Sequence, residues 1–542
     1  MTPATPTDFL SGVTPVRARR QAWIASAVAL ALFIAASGHL TAIGFDSRFV
    51  LFAQEMLRHG PSVFPTTYGE PYPDYSGFST FLVYLCSLPF GRVTSLSAWL
   101  PTCVASAITV GLIYRLLSPY SRRWAWLSIA LLLLSNTFIS ETRAVSLDQM
   151  LATVSFAAFY LAYAADHFGA KRRFPWVIAL LVLGFAIRGP IGLVVPAGIL
   201  CSYYLLSRQW RRLLIFSVIA ATALVLCMLA LLLLAWLDGG EPLLREVLRM
   251  QVTGRMDGSE GSSPLLWYFT GSFGNYALAY PLALLVLACV ALRPKRPTTQ
   301  ALRLVWLCAF AALTVMVGLS IPQAKKARYI LPMLPMAAII AAYPFQVREG
   351  RMFIWLRGLI LTLCCFIPGA LMAALFALRP RFPEALGDIG PMLAVLGTLQ
   401  LIALPLLMRP RLRLYGLPAC AVLAVWISFI GVFEKAERVL YDTRQFTQAV
   451  MGVIDTDSAP LVLHGMGKDA KAIKFMVNVE RDLQPVFTDT PDQLAALRGP
   501  ANLVMSNTDF QRLRGTPVAT LPVLLSGRFD KEDYVLLRVP AP

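Results

Sequence analysis

The sequence is short of charge. Asp, Glu, Lys and Arg make up 14% of its 542 residues, where a soluble chain carries roughly 25%. It also lacks the residue patterns of common soluble sites. The four histidines, His39, His59, His167 and His464, are scattered and form no HExxH, so no helix-borne zinc protease site is encoded. The nine cysteines include no CxxC and none follows residue 435, which speaks against a disulfide framework or a cysteine metal site. The tetrapeptide GMGK at 465–468 is the nearest approach to a phosphate loop. It satisfies neither GxGxxG nor GxxxxGK[ST]. No GxSxG nucleophile elbow occurs.

What the chain has in abundance is apolar length. Hydrophobic residues make up 57% and the mean hydropathy is +0.63. Strong apolar runs cover about 22–43, 96–117, 124–139, 146–166, 174–187, 190–206, 212–236, 274–293, 303–320, 328–345, 353–377, 389–408 and 414–433. Runs near 20 residues separated by short basic loops mark an α-helical polytopic membrane protein, here with about 13 transmembrane helices. The run 79–91 ends at Pro89 and is short for a span, so it reads as an interfacial helix. The first run follows Arg17, Arg19 and Arg20 without a small-residue cleavage site and reads as a retained anchor.

The net charge of +18 is spread one loop at a time, which fits topology sorting better than nucleic-acid binding. With the N-terminus inside, every inside loop is basic. These loops hold Arg115, Arg122 and Arg123; Lys171, Arg172 and Arg173; Arg208, Arg211 and Arg212; Arg293, Lys295, Arg296 and Arg303; Arg348 and Arg351; and Arg409, Arg411 and Arg413. That alternation places loops 44–95 and 237–273 and the tail outside. The tail, 435–542, changes composition. VLHGMG, NLVMS, LPVLL and DYVLLRV read as short strands and QFTQAVMGVID as a helix. The expectation is a transmembrane domain over 1–434 and a small α/β outer domain over 435–542.

Ionisable residues gather at the outer ends of the spans. Groups at membrane depth are costly and default to functional candidates. AKKARY at 324–329 brings Lys325, Lys326, Arg328 and Tyr329 to the outer side, where topology disfavours cations. This reads as a phosphate clamp, with lysines as point charges and Arg as a fork, or as a snorkelling interfacial anchor. Asp46 and Arg48 begin an amphipathic helix, where Asp46 could be a helix cap and Glu55 sits on the solvated face. Asp74 and Tyr75 lie in a turn-rich loop. Arg143 and Asp148 flank a span entrance, with Asp148 a turn into apolar sequence. Arg188 precedes the Gly189-Pro190 break. Arg255 lies in the Gly/Ser-rich part of the second outer loop, a mobile connector or a lid.

Taken together, Asp46, Tyr72-Pro73-Asp74-Tyr75, Asp148, Arg188-Gly189-Pro190 and KKARYILP resemble the GT-C superfamily of membrane glycosyltransferases. The branch they resemble is that of the bacterial lipid A aminoarabinose transferases, related to protein O-mannosyltransferases. The likeness covers the whole chain. Two departures stand out. Asp46 is the one acidic residue where that family has Asp-Glu, and Asp74 and Tyr75 stand where it has Glu-Lys. Arg188 replaces a family Lys and keeps the charge.

The resemblance implies an inverting transferase that takes a sugar from a polyprenyl-phosphate donor in the bacterial inner membrane. The acceptor would be lipid A, another envelope glycan or a protein. Asp46 would act as general base, or as a charge partner if the acceptor is already a phosphate, with Asp148 as a second catalytic candidate. Arg48, Asp74, Tyr75, Arg143, Arg188, Arg255, Lys325, Lys326, Arg328 and Tyr329 would bind substrate. A divalent metal is not demanded, because cations already cover the leaving phosphate. A transporter of lipid-linked sugars, or an O-antigen ligase or polymerase using a diphosphate carrier, are the competing readings. A transporter more often shows repeats and charged or broken helices at mid-membrane.

Overall fold

A computed structural model describes residues 14–38, 40–74, 77–169, 173–253, 261–292, 299–347, 350–454, 459–497 and 499–540. Tyr75 and Arg255 lie outside them, as do Lys171, Arg172, Arg293, Lys295, Arg296 and Arg348 of the basic loops. The chain is mostly helical, followed near the C-terminus by strands. Among the described residues, eight helices are long and apolar enough to cross a membrane, or nine with one bent pair counted as a span.

The apolar runs became helices, but several bounds moved. The first helix, α1, is Pro15–Phe33. It stops ten residues short of the expected end at 43, where the Ser37 hydroxyl turns back to the Ile34 carbonyl and Ala36 takes a positive φ of 55°. Helix α2 is Asp46–His59. A two-stranded hairpin follows, β1 (Thr66–Thr67) and β2 (Glu70–Pro71). Helix α3, Phe78–Ser87, is short and apolar, and α4 is Ser95–Leu117. The run expected as one span over 124–139 is two helices, α5 (Arg122–Leu133) and α6 (Asn136–Thr142), bent by 72°. The start of α6 is held by a residue distant in sequence. Both the backbone N–H and the hydroxyl of Thr137 donate to the carbonyl of Asn275, at 3.0 and 2.9 Å.

Helix α7 is Leu147–His167. Helix α8, Phe174–Leu206, is broken at Arg188 and at Gly189, which takes φ 62° and ψ −149°. Gly184 and Gly192 would lie about 12 Å apart on an unbroken helix. A Cβ on Gly184 would instead fall 2.1 Å from the Gly192 carbonyl oxygen, and one on Gly192 1.9 Å from that of Gly184. The two arms therefore fold back with their backbones touching, which only glycine permits. Helix α9, Trp210–Leu248, is broken at Gly240. Three prolines divide the run 328–345 into a 3₁₀ turn (Ala327–Met333), a short α-helix (Leu334–Ala341) and a second 3₁₀ turn (Tyr343–Phe345).

The C-terminal strands are β3 (Leu461–His464), β4 (Val486–Thr488), β5 (Ala501–Ser506), β6 (Val523–Phe529) and β7 (Glu532–Val539). They form one sheet in the order β4-β3-β5-β7-β6. β3 runs parallel to β4 and β5, and β7 runs antiparallel to β5 and β6. The segment after Met476 reaches α2: Gln54 donates to the Val477 carbonyl, and Arg58 to those of Val479 and Glu480, at 2.9–3.2 Å. Beneath this contact Glu55 is buried. Its expected place on a solvated face is wrong, because the C-terminal segment covers that face and Arg58 and His59 face its carboxylate.

His464 on β3 is buried and faces the Thr488 hydroxyl at 3.1 Å. Burial holds its pKa below the ordinary value. The folded sheet therefore binds the proton less readily than the unfolded chain, so its stability is lost as pH falls through the unfolded value of about 6.5. Protection factors along β3, which correct for the intrinsic slowing of exchange in acid, should fall between about pH 7 and pH 5, and His464→Gln should flatten that dependence.

Candidate active site

Asp46 is the first residue of α2, whose N-cap position is Phe45, and its carboxylate accepts from outside the helix. Its two carboxylate oxygens are held separately: Trp99 Nε1 of α4 donates to Oδ2 at 2.8 Å, and the Val145 backbone N–H, between α6 and α7, donates to Oδ1 at 2.9 Å. Burial raises the Asp46 pKa, opposed by these two hydrogen bonds and by the nearby Arg438. Asp46 is shared by the walls of two cavities. One, of about 200 Å³, is lined by Phe45, Glu141, Asp148, Arg328, Glu437 and Arg438. The other, of about 590 Å³, lies between the start of α4 and the C-terminal segment, with Arg58, Arg92, Ser95, Arg444 and Asn478 in its wall.

Asp148, the second residue of α7, faces two arginines. Arg188 Nε lies 2.9 Å from Oδ1, and Arg328 Nε makes an ion contact with Oδ2 at 3.2 Å. Arg188 is delivered by the tip of the α8 hairpin and Arg328 by the 3₁₀ turn. Each also covers a ring, Arg188 that of Tyr329 at 5.1 Å and Arg328 that of Phe45 at 4.2 Å. The Asp148 carboxylate thus lies between two guanidinium groups at the smaller cavity, whose wall as a whole carries Asp46, Glu141, Asp148, Glu434 and Glu437 beside Arg143, Arg328 and Arg438.

The cations of AKKARY thus part company. Arg328 turns to the cavity. Lys325 staples a neighbouring loop, donating to the carbonyls of Pro322 (2.7 Å) and Ser263 (3.1 Å), while Lys326 is exposed. Arg48 and Asp74 make an ion contact at 3.8 Å, and Gln251 donates to the Asp74 carbonyl, which brings the two outer loops together. Arg143 lines the smaller cavity, but its guanidinium is already engaged. Nε and Nη2 donate to Glu434 at 3.2 and 2.8 Å, and Nη1 donates to the carbonyls of Phe33 and Ala35.

Trp99, Glu434, Glu437 and Arg438 belong to the site and were not expected there. The last three carried a visible sign, the charged stretch FEKAER directly after an apolar run, which reads most simply as a domain boundary. Trp99 carried none. Among the described residues, no three His, Cys, Asp or Glu side chains converge as metal ligands.

Comparison with known proteins bears on the fold and the sequence. Residues 79–236 match the model of the dolichyl-phosphate-mannose-protein mannosyltransferase family. The undecaprenyl phosphate-alpha-4-amino-4-deoxy-L-arabinose arabinosyl transferase of Pseudomonas aeruginosa is 27% identical over 433 residues, 76% of this chain and 75% of that protein. The crystal structure of ArnT from Cupriavidus metallidurans in the apo state superposes with a TM-score of 0.70 at 17% identity. The same protein bound to undecaprenyl phosphate superposes at 0.68 and 16%. Both superpositions cover 96% of this chain and 98% of the other, and at that identity they speak to the fold. In fold and in sequence, the chain resembles the GT-C membrane glycosyltransferases and, among them, the undecaprenyl-phosphate aminoarabinose transferases.

Proposed function

We propose that the protein is an inverting glycosyltransferase of the bacterial inner membrane. It takes a sugar from an undecaprenyl-phosphate donor and passes it to a cell-envelope acceptor, lipid A foremost, on the periplasmic face. The observation that carries this reading is the position of Asp46, a desolvated carboxylate in the wall between two cavities, one of which also holds Arg328 and Asp148. A donor phosphate in the smaller cavity would meet Arg328, with Arg188 behind it. An acceptor would approach Asp46 from the larger one.

In the transfer, the acceptor oxygen forms a bond to the anomeric carbon as the bond from that carbon to the phosphate oxygen breaks. A hydroxyl acceptor gives its proton to Asp46; a phosphate acceptor has none to give, and Asp46 then orients the attack. Negative charge develops on the departing polyprenyl phosphate, where fixed guanidinium groups stabilise it most. Asp148 holds both arginines in place for this, with Tyr329 under Arg188, and Arg48, Lys325 and Lys326 would meet substrate outside the smaller cavity. The full reading has about 13 spans with α8 as a hairpin of two, a cytoplasmic N-terminus, and residues 435–542 as a periplasmic α/β domain roofing the site.

The test is mass spectrometry of lipid A and envelope glycans from cells with and without the protein. A sugar-sized mass on lipid A is expected to vanish in the deletion while the undecaprenyl-phosphate sugar accumulates. Unchanged lipid A and glycans in the deletion would refute the reading.

A further inference from the structure

The tryptophan that touches Asp46 is itself held in an unusual way. Trp99 is 2% exposed. The guanidinium groups of Arg143 and Arg438 both lie over its ring, at 5.1 and 5.2 Å from the centroid. Both arginines share one counterion. Glu434 takes two hydrogen bonds from Arg143 and an ion contact from Arg438 at 3.6 Å. Each arginine is also anchored to the linker between α1 and α2 or its approach: Arg143 to the carbonyls of Phe33 and Ala35, Arg438 to that of Thr41. The linker ends at Asp46.

Two cations over an indole face are attracted by its ring electrons, and their field draws density from the ring and leaves Nε1–H a stronger donor. The ring has little freedom to turn, because both cations are fixed by Glu434. We propose that Trp99 is a positioning residue: the Arg143–Trp99–Arg438 stack, tied by Glu434, aims Nε1–H at Asp46 and keeps that carboxylate ionised and oriented in the wall between the two cavities. The inference rests on Asp46 being the proton acceptor proposed above. It extends that reading to a set of side chains that need not touch substrate.

The experiment follows the protonation of Asp46 directly. Infrared difference spectra of the full-length protein in nanodiscs are recorded against pH, and the protonated-carboxyl band absent from Asp46→Asn is assigned to Asp46. In Trp99→Phe, which keeps an aromatic ring and loses the N–H, the midpoint of that band is expected to rise by about one pH unit, a tenfold change in the ionisation constant. A folded Trp99→Phe protein with an unmoved midpoint overturns the proposal. Should Trp99→Phe fail to fold, Arg438→Lys, which keeps the charge and loses the planar stack, carries the test with a smaller rise expected and an unmoved midpoint again decisive against it.

Turnover is measured in parallel with undecaprenyl-phosphate 4-amino-4-deoxy-arabinose and lipid A as probes. An acid limb that moves with the band, at unchanged KM for the donor, supports both readings. A band that moves while the limb stays put leaves the positioning role standing and removes Asp46 from the role of base.

Discussion

Asp46→Asn is expected to lower transfer by about 10²- to 10⁴-fold, the contribution of a placed general base, while undecaprenyl phosphate still binds. Asn keeps the shape and loses the charge. It offers one acceptor oxygen where Asp46 offers two, and Trp99 Nε1 and Val145 N–H each claim one. One of these donors then faces an amide NH₂, at a cost to folding of about 1–3 kcal/mol. A thermal melt separates that cost from the loss of chemistry, and donor binding measured by titration separates it again. The same carboxylate sets the pH response of the wild type. Its pKa is raised by burial, so the ionised base is lost, as pH falls, sooner than at an ordinary aspartate near 3.9. Turnover should accordingly fall on the acid side at a pH above that value. A variant with unimpaired turnover would return Asp46 to a structural role.

The second large effect is on stability. Glu434→Ala is expected to cost about 3–5 kcal/mol, the penalty for breaking a buried ion pair by removing one partner. The Arg143 side chain has no exposed surface and that of Glu434 only 5%. Without Glu434, the guanidinium of Arg143 keeps only carbonyl partners and Arg438 loses its carboxylate. Glu434→Gln should cost less, since the amide oxygen still accepts. The double variant Glu434→Leu with Arg143→Met should recover part of the loss, because the Arg143 charge is then no longer left buried, while Arg438 still lacks its carboxylate. Thermal unfolding in one fixed detergent or nanodisc orders the three variants. Equal melting temperatures for Glu434→Ala and the wild type would mean the pair is solvated.

How much of this was legible in the sequence depended on the range of the interaction. The turn at Gly189 was visible because a Gly-Pro step breaks a helix through its own backbone geometry. The bend between α5 and α6 was not read, and the first turn of α6 is satisfied by a carbonyl more than a hundred residues away, at Asn275. Asp46, Asp148 and Arg188 stood out as charges at the mouths of apolar runs. Trp99 sits inside such a run, where an indole reads as lipid-facing, and its role emerges only once three helices have met. AKKARY showed the converse: three cations close in sequence serve three different surroundings, because Lys325 and Lys326 lie in the extended segment before the 3₁₀ turn and Arg328 lies within it.

The backbone contact at Gly184 and Gly192 also bears on biogenesis. Arms whose backbones touch at Gly184 and Gly192 leave no room for lipid between them there, so in the proposed topology α8 would leave the translocation machinery as a paired unit, its tip first. That tip carries a guanidinium through the hydrocarbon, a transfer that is costly for a lone charge. In the proposed topology the preceding helix already holds Asp148 near the far surface, where it would pair with the arriving Arg188. The ion pair of the mature site would thus serve earlier as the step that makes insertion of the hairpin favourable.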